Sequence, residues 1–324
     1  MRTARGWFGA GLRTLVIEYI TLNEASARFR VAFQKRVVAL EGGSMASQDI
    51  NVRTMGRADL ELALSWAADE GWNPGRYDAT PFHVADPEGF LIVEAGGEPA
   101  ACISAVRYGS FAFLGLYIAR PERRGQGLGL AAWRAAMTRL DGCLVGLDGV
   151  IAQQANYRKS GFVLAHRNVR YAGAPPRSSP PAGLVDLRSV PFDRLLAYER
   201  PLFPAKRAAF LAAWVGMPEA IGLAAWRDDA LTGVGLARPC RDGWKIGPLF
   251  ANGEAIAEAL FLGLAARLPA GPIILDVPEV NPAAVRLAER HGLEPVFETA
   301  RMYTGPAPAI DLARVYGITT FELG

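Results

Sequence analysis

Cysteine and histidine are scarce, with 3 of each in 324 residues. Cys102, Cys143 and Cys240 form no Cys-x-x-Cys pair and sit among apolar or small residues, while His83, His166 and His291 are equally scattered. This pattern supports neither a disulfide framework nor a zinc site, and buried, reduced thiols are expected. Long apolar runs are missing too: a membrane span needs about 20 apolar residues, and Pro218, Glu219, Arg227 and Pro269 interrupt the longest stretches. Near the start, the run Leu15 to Leu22 contains Glu18 and makes a poor signal peptide. No membrane association and a cytoplasmic location are expected. Charge of neither sign is in excess, since 35 Lys+Arg against 32 Asp+Glu leave +3. No dense basic block is available to track nucleic acid, and no nucleic-acid partner is expected.

What is present points elsewhere. A chain of this length, 51% hydrophobic and 21% charged, can bury substantial cores, and two domains of ordinary size are expected. Its organising stretch is an apolar strand from Phe113 to Ile118, a basic turn Arg123-Arg124-Gly125-Gln126-Gly127-Leu128-Gly129, and a helix from Leu130 to Leu140. Three alternating glycines let consecutive backbone N–H groups turn inward at the positive end of a helix dipole, and the arginines add charge. That is a cradle for a pyrophosphate. A Rossmann turn would want Gly-x-Gly-x-x-Gly near the first strand of a parallel sheet, and a Walker loop would want Gly-Lys-Ser/Thr, which is absent. A glycine-rich connection with no ligand is the remaining alternative.

Arg124, Gly125, Gln126, Gly127, Leu128 and Gly129 match the signature Arg/Gln-x-x-Gly-x-Gly/Ala, by which the segment resembles the acetyl-CoA loop of GNAT-type N-acetyltransferases. Before it come a strand (Ile50 to Met55), a helix (Arg57 to Glu70) ended by Gly71, and a hairpin (Phe90 to Glu94, Pro99 to Tyr108) turned at Gly96-Gly97. After it come a strand (Cys143 to Val150), a helix (Gln153 to Ser160) and a strand (Phe162 to Tyr171). This is similar to the GNAT order over about residues 50 to 173, and Tyr157-Arg158-Lys159-Ser160-Gly161-Phe162 matches that family's Tyr-x-Lys-x-Gly-Phe segment.

Ala174 to Pro181 carries four prolines and small polar residues, which makes residues 174–183 a linker. Beyond it the pattern weakly repeats. Leu147-Asp148-Gly149-Val150 through Gly161 to Tyr171-Ala172-Gly173 is similar to Leu275-Asp276-Val277-Pro278 through Gly292 to Tyr303-Thr304-Gly305. The expected fold class is therefore α/β, a mixed α+β sheet, as tandem GNAT-like domains at 45–173 and 184–324. In the second copy the loop Ile246 to Glu254 has lost its arginines, and Glu254 would repel a pyrophosphate, so no CoA is expected there. A helical stretch Tyr198 to Trp214 and a final strand or strap within Ile310 to Gly324 complete this half. Residues 1–44, arginine-rich and set off by Gly42-Gly43-Ser44, are an extension, with Met45 a plausible alternative start.

The resemblance implies acetyl-CoA as donor, held by Arg123 to Gly129, with the backbone N–H groups of Tyr117 and Ile118 bonding pantetheine and the thioester carbonyl. It also implies that Tyr157 is either the general acid for the departing thiolate or a packing residue beside the donor. No general base announces itself. Asp148, at the end of the strand beside the loop, is the best placed, with Asp78 and Glu94 as other candidates, though Asp before Gly is also an ordinary turn former. Trp72, Tyr77 and Asp78, in a Pro- and Gly-broken loop, either edge a cleft for a small cationic amine or cap the core. An N-acetyltransferase acting on a small-molecule amine and a non-catalytic acyl-CoA sensor on the same scaffold are the two functions that follow. The oligomeric state is left open.

Overall fold

The computed structural model describes residues 49–176, 181–227 and 230–324. The expected extension 1–44 lies outside them. The first half contains β1 (Ile50–Thr54), α1 (Arg57–Asp69), α2 (Ala79–Ala85), β2 (Phe90–Ala95), β3 (Glu98–Tyr108), β4 (Phe111–Ala119), α3 (Leu128–Arg139), β5 (Leu144–Val150), α4 (Gln154–Lys159) and β6 (Val163–Gly173). The second contains β7 (Leu184–Asp186), α5 (Phe192–Glu199), α6 (Ala208–Val215), β8 (Ile221–Arg227), β9 (Ala230–Pro239), β10 (Trp244–Ala251), α7 (Glu254–Ala265), β11 (Ile273–Pro278), α8 (Pro282–Arg290), β12 (Glu294–Tyr303) and β13 (Val315–Gly317).

Local chemistry sets these elements. In α1 the Asp59 carboxylate accepts from the Gly56 N–H at 2.8 Å, and Leu60, Ala63, Leu64 and Ala67 recur at helical spacing on its buried face. α8 starts at Asn281, whose Oδ1 accepts from Ala283 N (3.1 Å) and Ala284 N (3.3 Å), with Pro282 in the first turn. The helix expected over Tyr198 to Trp214 is two helices, α5 and α6. Pro201 and Pro204 lie between them, where a helix would lose backbone donors. α2 is a seven-residue element the sequence did not announce, because Pro81, its third residue, reads as a helix breaker.

Twelve strands lie in the order β1-β2-β3-β4-β5-β12-β6-β11-β10-β9-β8-β7, and β13 pairs with β10 off that path. The expected linker leads from β6 to β7, but the sheet is continuous across it. The two halves exchange their late strands: β12 pairs antiparallel with β5, and β6 pairs antiparallel with β11. Each exchanged strand delivers an arginine to an aspartate of the other half. Arg301 of β12 faces Asp148 of β5, and Arg170 of β6 faces Asp276 of β11. The Leu-Asp repeat noted in the sequence therefore marks two equivalent ion pairs. The described residues accordingly form one compact unit.

The parallel strands of each half start paired and then separate. β4 and β5 pair from Phe111↔Leu144 to Leu114↔Leu147, after which β4 bulges by one residue and Leu116 takes φ +44. β10 and β11 pair from Trp244↔Ile273 to Ile246↔Leu275, and β10 then bulges by one residue at the Gly247-Pro248 step. In the second half the opening is filled. β13 pairs with β10 at Leu249↔Gly317 and Phe250↔Val315, and Ile318 N–H donates to the Asp276 carbonyl on β11 at 2.9 Å. In the first half no strand among the described residues enters the opening.

Candidate active site

The opening between β4 and β5 leads to the basic turn and the start of α3. Gly125 (φ +84) and Gly127 (φ +76) hold left-handed backbone that a branched residue would resist, and a Cβ on Gly127 would meet nothing within 4 Å. Gly125, Gln126 and Gly127 are exposed. Among the described residues, the N–H groups of Gly125 through Gly129 find no protein acceptor. These are free donors at the head of a 12-residue helix, and they fit an anion such as a diphosphate. α3 starts at Leu128, two residues before the sequence estimate, so Leu128 and Gly129 belong to its first turn.

The arginines divide. Arg123 is half-buried, with no carboxylate partner among the described residues. Arg124 donates from Nε to the Ala119 carbonyl at 3.0 Å and pairs through Nη2 with Glu70 at the end of α1. It braces the turn against the fold and keeps side-chain exposure of 30%. Glu70 is a supporting residue the sequence did not flag.

Tyr117 and Tyr157 face each other across the α3 side of the opening, with Trp133 between them at ring distances of 5.6 and 5.8 Å. The Tyr117 ring lies over Gly129, and the Tyr157 ring lies over Gly149, where a Cβ would collide with it. Burial pushes the Tyr117 phenol up to about 12 and raises that of Tyr157 further above its usual value. Both therefore stay protonated through neutral pH. Ile118 lies on the opposite face of β4, with the core packed beneath α1 and α2.

The expected acid–base and acceptor residues are placed differently. Asp148 has no exposed side-chain surface. Its oxygens accept from Arg301 Nε (2.7 Å) and Nη2 (2.6 Å), with Asn168 Nδ2 adding a third bond at 2.8 Å. A carboxylate committed to a bidentate guanidinium is a structural anchor, and the expectation of a free base at Asp148 is corrected accordingly. Asp78 is also sealed, accepting from Arg238 Nε at 2.9 Å and from Gly75 N at 2.8 Å. It therefore edges no open cleft. Trp72 gives its carbonyl to Arg170 Nη1 at 2.8 Å, and the Tyr77 hydroxyl bonds Glu219. Tyr77 and Asp78 thus bond residues of the second half, and Trp72 bonds the exchanged strand β6, instead of lining a cationic-amine cleft. Glu94, the remaining candidate base, sits on β2 with Arg53 and Asn51.

Around these pairs the interior is densely charged yet balanced. Burial, with Arg170 nearby, lowers the Lys245 ammonium, which donates to the Asn73 carbonyl at 3.0 Å. The thiol of Cys102 is pushed up to about 12 by burial, which fits the inert cysteine anticipated from its surroundings. His166 of β6 is held neutral, since burial, and then the charge of Arg301, lowers it from 6.5 to about 3. Between those values the unfolded chain binds a proton that the fold does not, so stability falls as pH drops from about 6.5 toward 3. We expect His166→Gln to narrow the stability difference between pH 7 and pH 4.5 measured by denaturant unfolding.

In the second half the equivalent turn lacks these features. Glu254 heads α7 and pairs with Arg286 and Arg290. β13 has taken the backbone positions that the first half leaves open.

Comparison with known proteins agrees with this geometry. Residues 58–162 match the acetyltransferase (GNAT) family, and residues 195–317 match an acetyltransferase (GNAT) domain. A holothin acyltransferase of Pseudoalteromonas sp. (strain SANK 73390) is 30% identical over 269 residues, covering 82% of this chain and 92% of that protein. A putative acetyltransferase of Pyrococcus horikoshii is similar in fold, with TM-score 0.74 and 24% identity, covering 88% of this chain and 99% of that one. A tandem GNAT protein from the clavulanic acid biosynthesis pathway has TM-score 0.55 and 15% identity, covering 80% of this chain and all (100%) of that one. With both halves matched and a relative 30% identical over most of its length, the chain belongs to the GNAT acetyltransferase family as a tandem protein.

Proposed function

We propose that this protein is an acetyl-CoA-dependent N-acetyltransferase that acylates a primary amine of a small molecule, with the donor held by the first half alone. The observation that carries this is the asymmetry of the two gaps: one keeps free backbone donors beside a glycine turn, and the other is closed by β13. The free N–H groups from Gly125 to Gly129, helped by Arg123, would hold the diphosphate, and the backbone of Tyr117 and Ile118 would orient the pantetheine arm and polarise the carbonyl. The donor supplies an activated thioester carbonyl. Tyr117, Trp133 and Tyr157 crowd the gap, which supports a short acyl group. A relative named as an acyltransferase of holothin supports a small acceptor.

Tyr157 is the residue we assign to protonate the departing sulfur. Burial keeps it in the protonated form a donor needs. Tyr157→Phe is expected to lower kcat for thiol release by roughly a hundredfold or more, with the donor KM changed only a few-fold. The assay is release of free CoA thiol over a panel of amino-acid amides, polyamines and aminoglycosides. A non-catalytic acyl-CoA sensor is the second reading, favoured by the closure of Asp78 and Asp148 behind arginines. It predicts donor binding without thiol release on any amine.

A further inference from the structure

After β13 the chain returns through the molecule as a strap, Ile318 to Gly324, buried along its whole length. It bears on both bulges at the same place. In each half the residue that follows the last parallel pair is a glycine: Gly115 after Leu114↔Leu147, and Gly247 after Ile246↔Leu275. A Cβ on Gly247 would strike the carbonyls of Ile318 and Thr319, and a Cβ on Gly115 would strike the carbonyl of Glu322. One short segment thus touches two equivalent points of the sheet, and glycine lets its backbone come so close.

The two contacts have different surroundings. At Gly247 the strap is one of several supports, since β13 pairs with β10 and Trp214 Nε1 donates to the Gly247 carbonyl at 3.0 Å. Beyond Gly115 the ladder with β5 has ended, and Leu116 holds φ +44. A leucine with that backbone angle is strained and stays there only when its surroundings fix it. The strap supplies part of that fixing. Its Glu322 carbonyl lies on Gly115 and accepts from Ser104 Oγ of β3 at 3.4 Å. The Leu323 carbonyl accepts from the Tyr108 hydroxyl of β3 at 3.3 Å, and Leu323 shares a core with Leu116 and Ile118. The strap in turn is gripped by Arg207, which stands just before α6. Its Nη2 donates to Thr319 Oγ1 at 2.9 Å and its Nη1 to the Gly324 main-chain oxygen at 2.8 Å, while Glu199 at the end of α5 pairs with the same guanidinium. The Arg207 side chain is 1% exposed, so these charge-assisted bonds are shielded from water.

We infer that the strap is the element through which the second half sets the donor site of the first, with Arg207 as its positioning residue. The assignment rests on the donor reading above. The backbone of Tyr117 and Ile118, assigned there to the pantetheine arm and the thioester carbonyl, follows directly on Gly115 and Leu116, so a shift of the bulge re-aims it. The closed half serves the open one by holding its bulge in place.

The test is calorimetric titration of the full chain with CoA, under conditions where each variant is folded by denaturant unfolding. Gly115→Ala should raise the Kd about tenfold or more, because its methyl displaces either the strap or the bulge. Gly263→Ala is the control. It crowds Leu184 and Leu223 under α7, on the other face of the sheet from the strap, and should lose stability with its Kd unchanged. Ser104→Ala with Tyr108→Phe removes both hydroxyl bonds to the strap without adding volume and should raise the Kd about fivefold; this pair carries the test if Gly115→Ala does not fold. Arg207→Lys keeps a charge beside Glu199 but cannot span both strap oxygens, and should also weaken binding. Combined with Gly115→Ala, its effect should be smaller than the product of the two, since a loosened strap yields to the methyl. A folded Gly115→Ala or Ser104→Ala/Tyr108→Phe protein with unchanged Kd, or independent multiplication of the Gly115→Ala and Arg207→Lys effects, overturns the assignment. So does an equal rise in Gly263→Ala, which would show that lost stability alone weakens binding. Absence of CoA binding in the unaltered protein overturns the donor reading itself, and the assignment with it.

Discussion

Replacing Arg170 with alanine is expected to destabilise the fold by about 3–5 kcal/mol, because it strands the Asp276 carboxylate with no charge partner. Arg170 Nε and Nη2 donate to Asp276 at 2.7 and 2.9 Å, and the Arg170 and Asp276 side chains are 6% and 2% exposed. The guanidinium also holds the Trp72 carbonyl and lies 4.8 Å from the centre of the Phe321 ring. One substitution therefore loosens the strand exchange, the 72–78 loop and the strap together. Because β6 and β12 each sit in the other half's sheet, the loss should appear as a shift of a single unfolding transition in urea, with unchanged slope. The double change Arg170→Met with Asp276→Leu removes both charges and should cost much less than Arg170→Ala alone.

Gly127→Asp is expected to remove CoA binding. The position already holds φ +76, which aspartate tolerates better than most residues, and open space surrounds its Cβ. The fold should therefore survive. What changes is charge: a carboxylate placed among the free N–H groups would confront the diphosphate and cost several kcal/mol, roughly a hundredfold or more in Kd. Unfolding of the variant should match the unaltered protein while calorimetry detects no heat of CoA binding. Retained binding would mean that the donor sits elsewhere.

Much of the first half was legible in the sequence because its signals are local. Alternating glycines after two arginines, the Gly96-Gly97 hairpin and the Gly161 helix stop each act through backbone conformations within a few residues, and each appears where the residues imply. The repeat was also legible, through Asp148 and Asp276 at matching places. Their role was not. An aspartate reads as a free acid until its long-range partner is known, and Arg301 and Arg170 arrive from strands 153 and 106 residues away. The same holds for Asp78, whose partner Arg238 lies 160 residues on. Strand exchange leaves no mark on hydrophobic pattern, since β6 and β12 would bury the same faces in either order.

The central claim is that the first half binds acyl-CoA while the second is closed by its own β13. Calorimetric titration of the full chain with CoA measures this directly. The account predicts one site per chain, lost in Gly127→Asp. No binding, or two sites per chain, would contradict it.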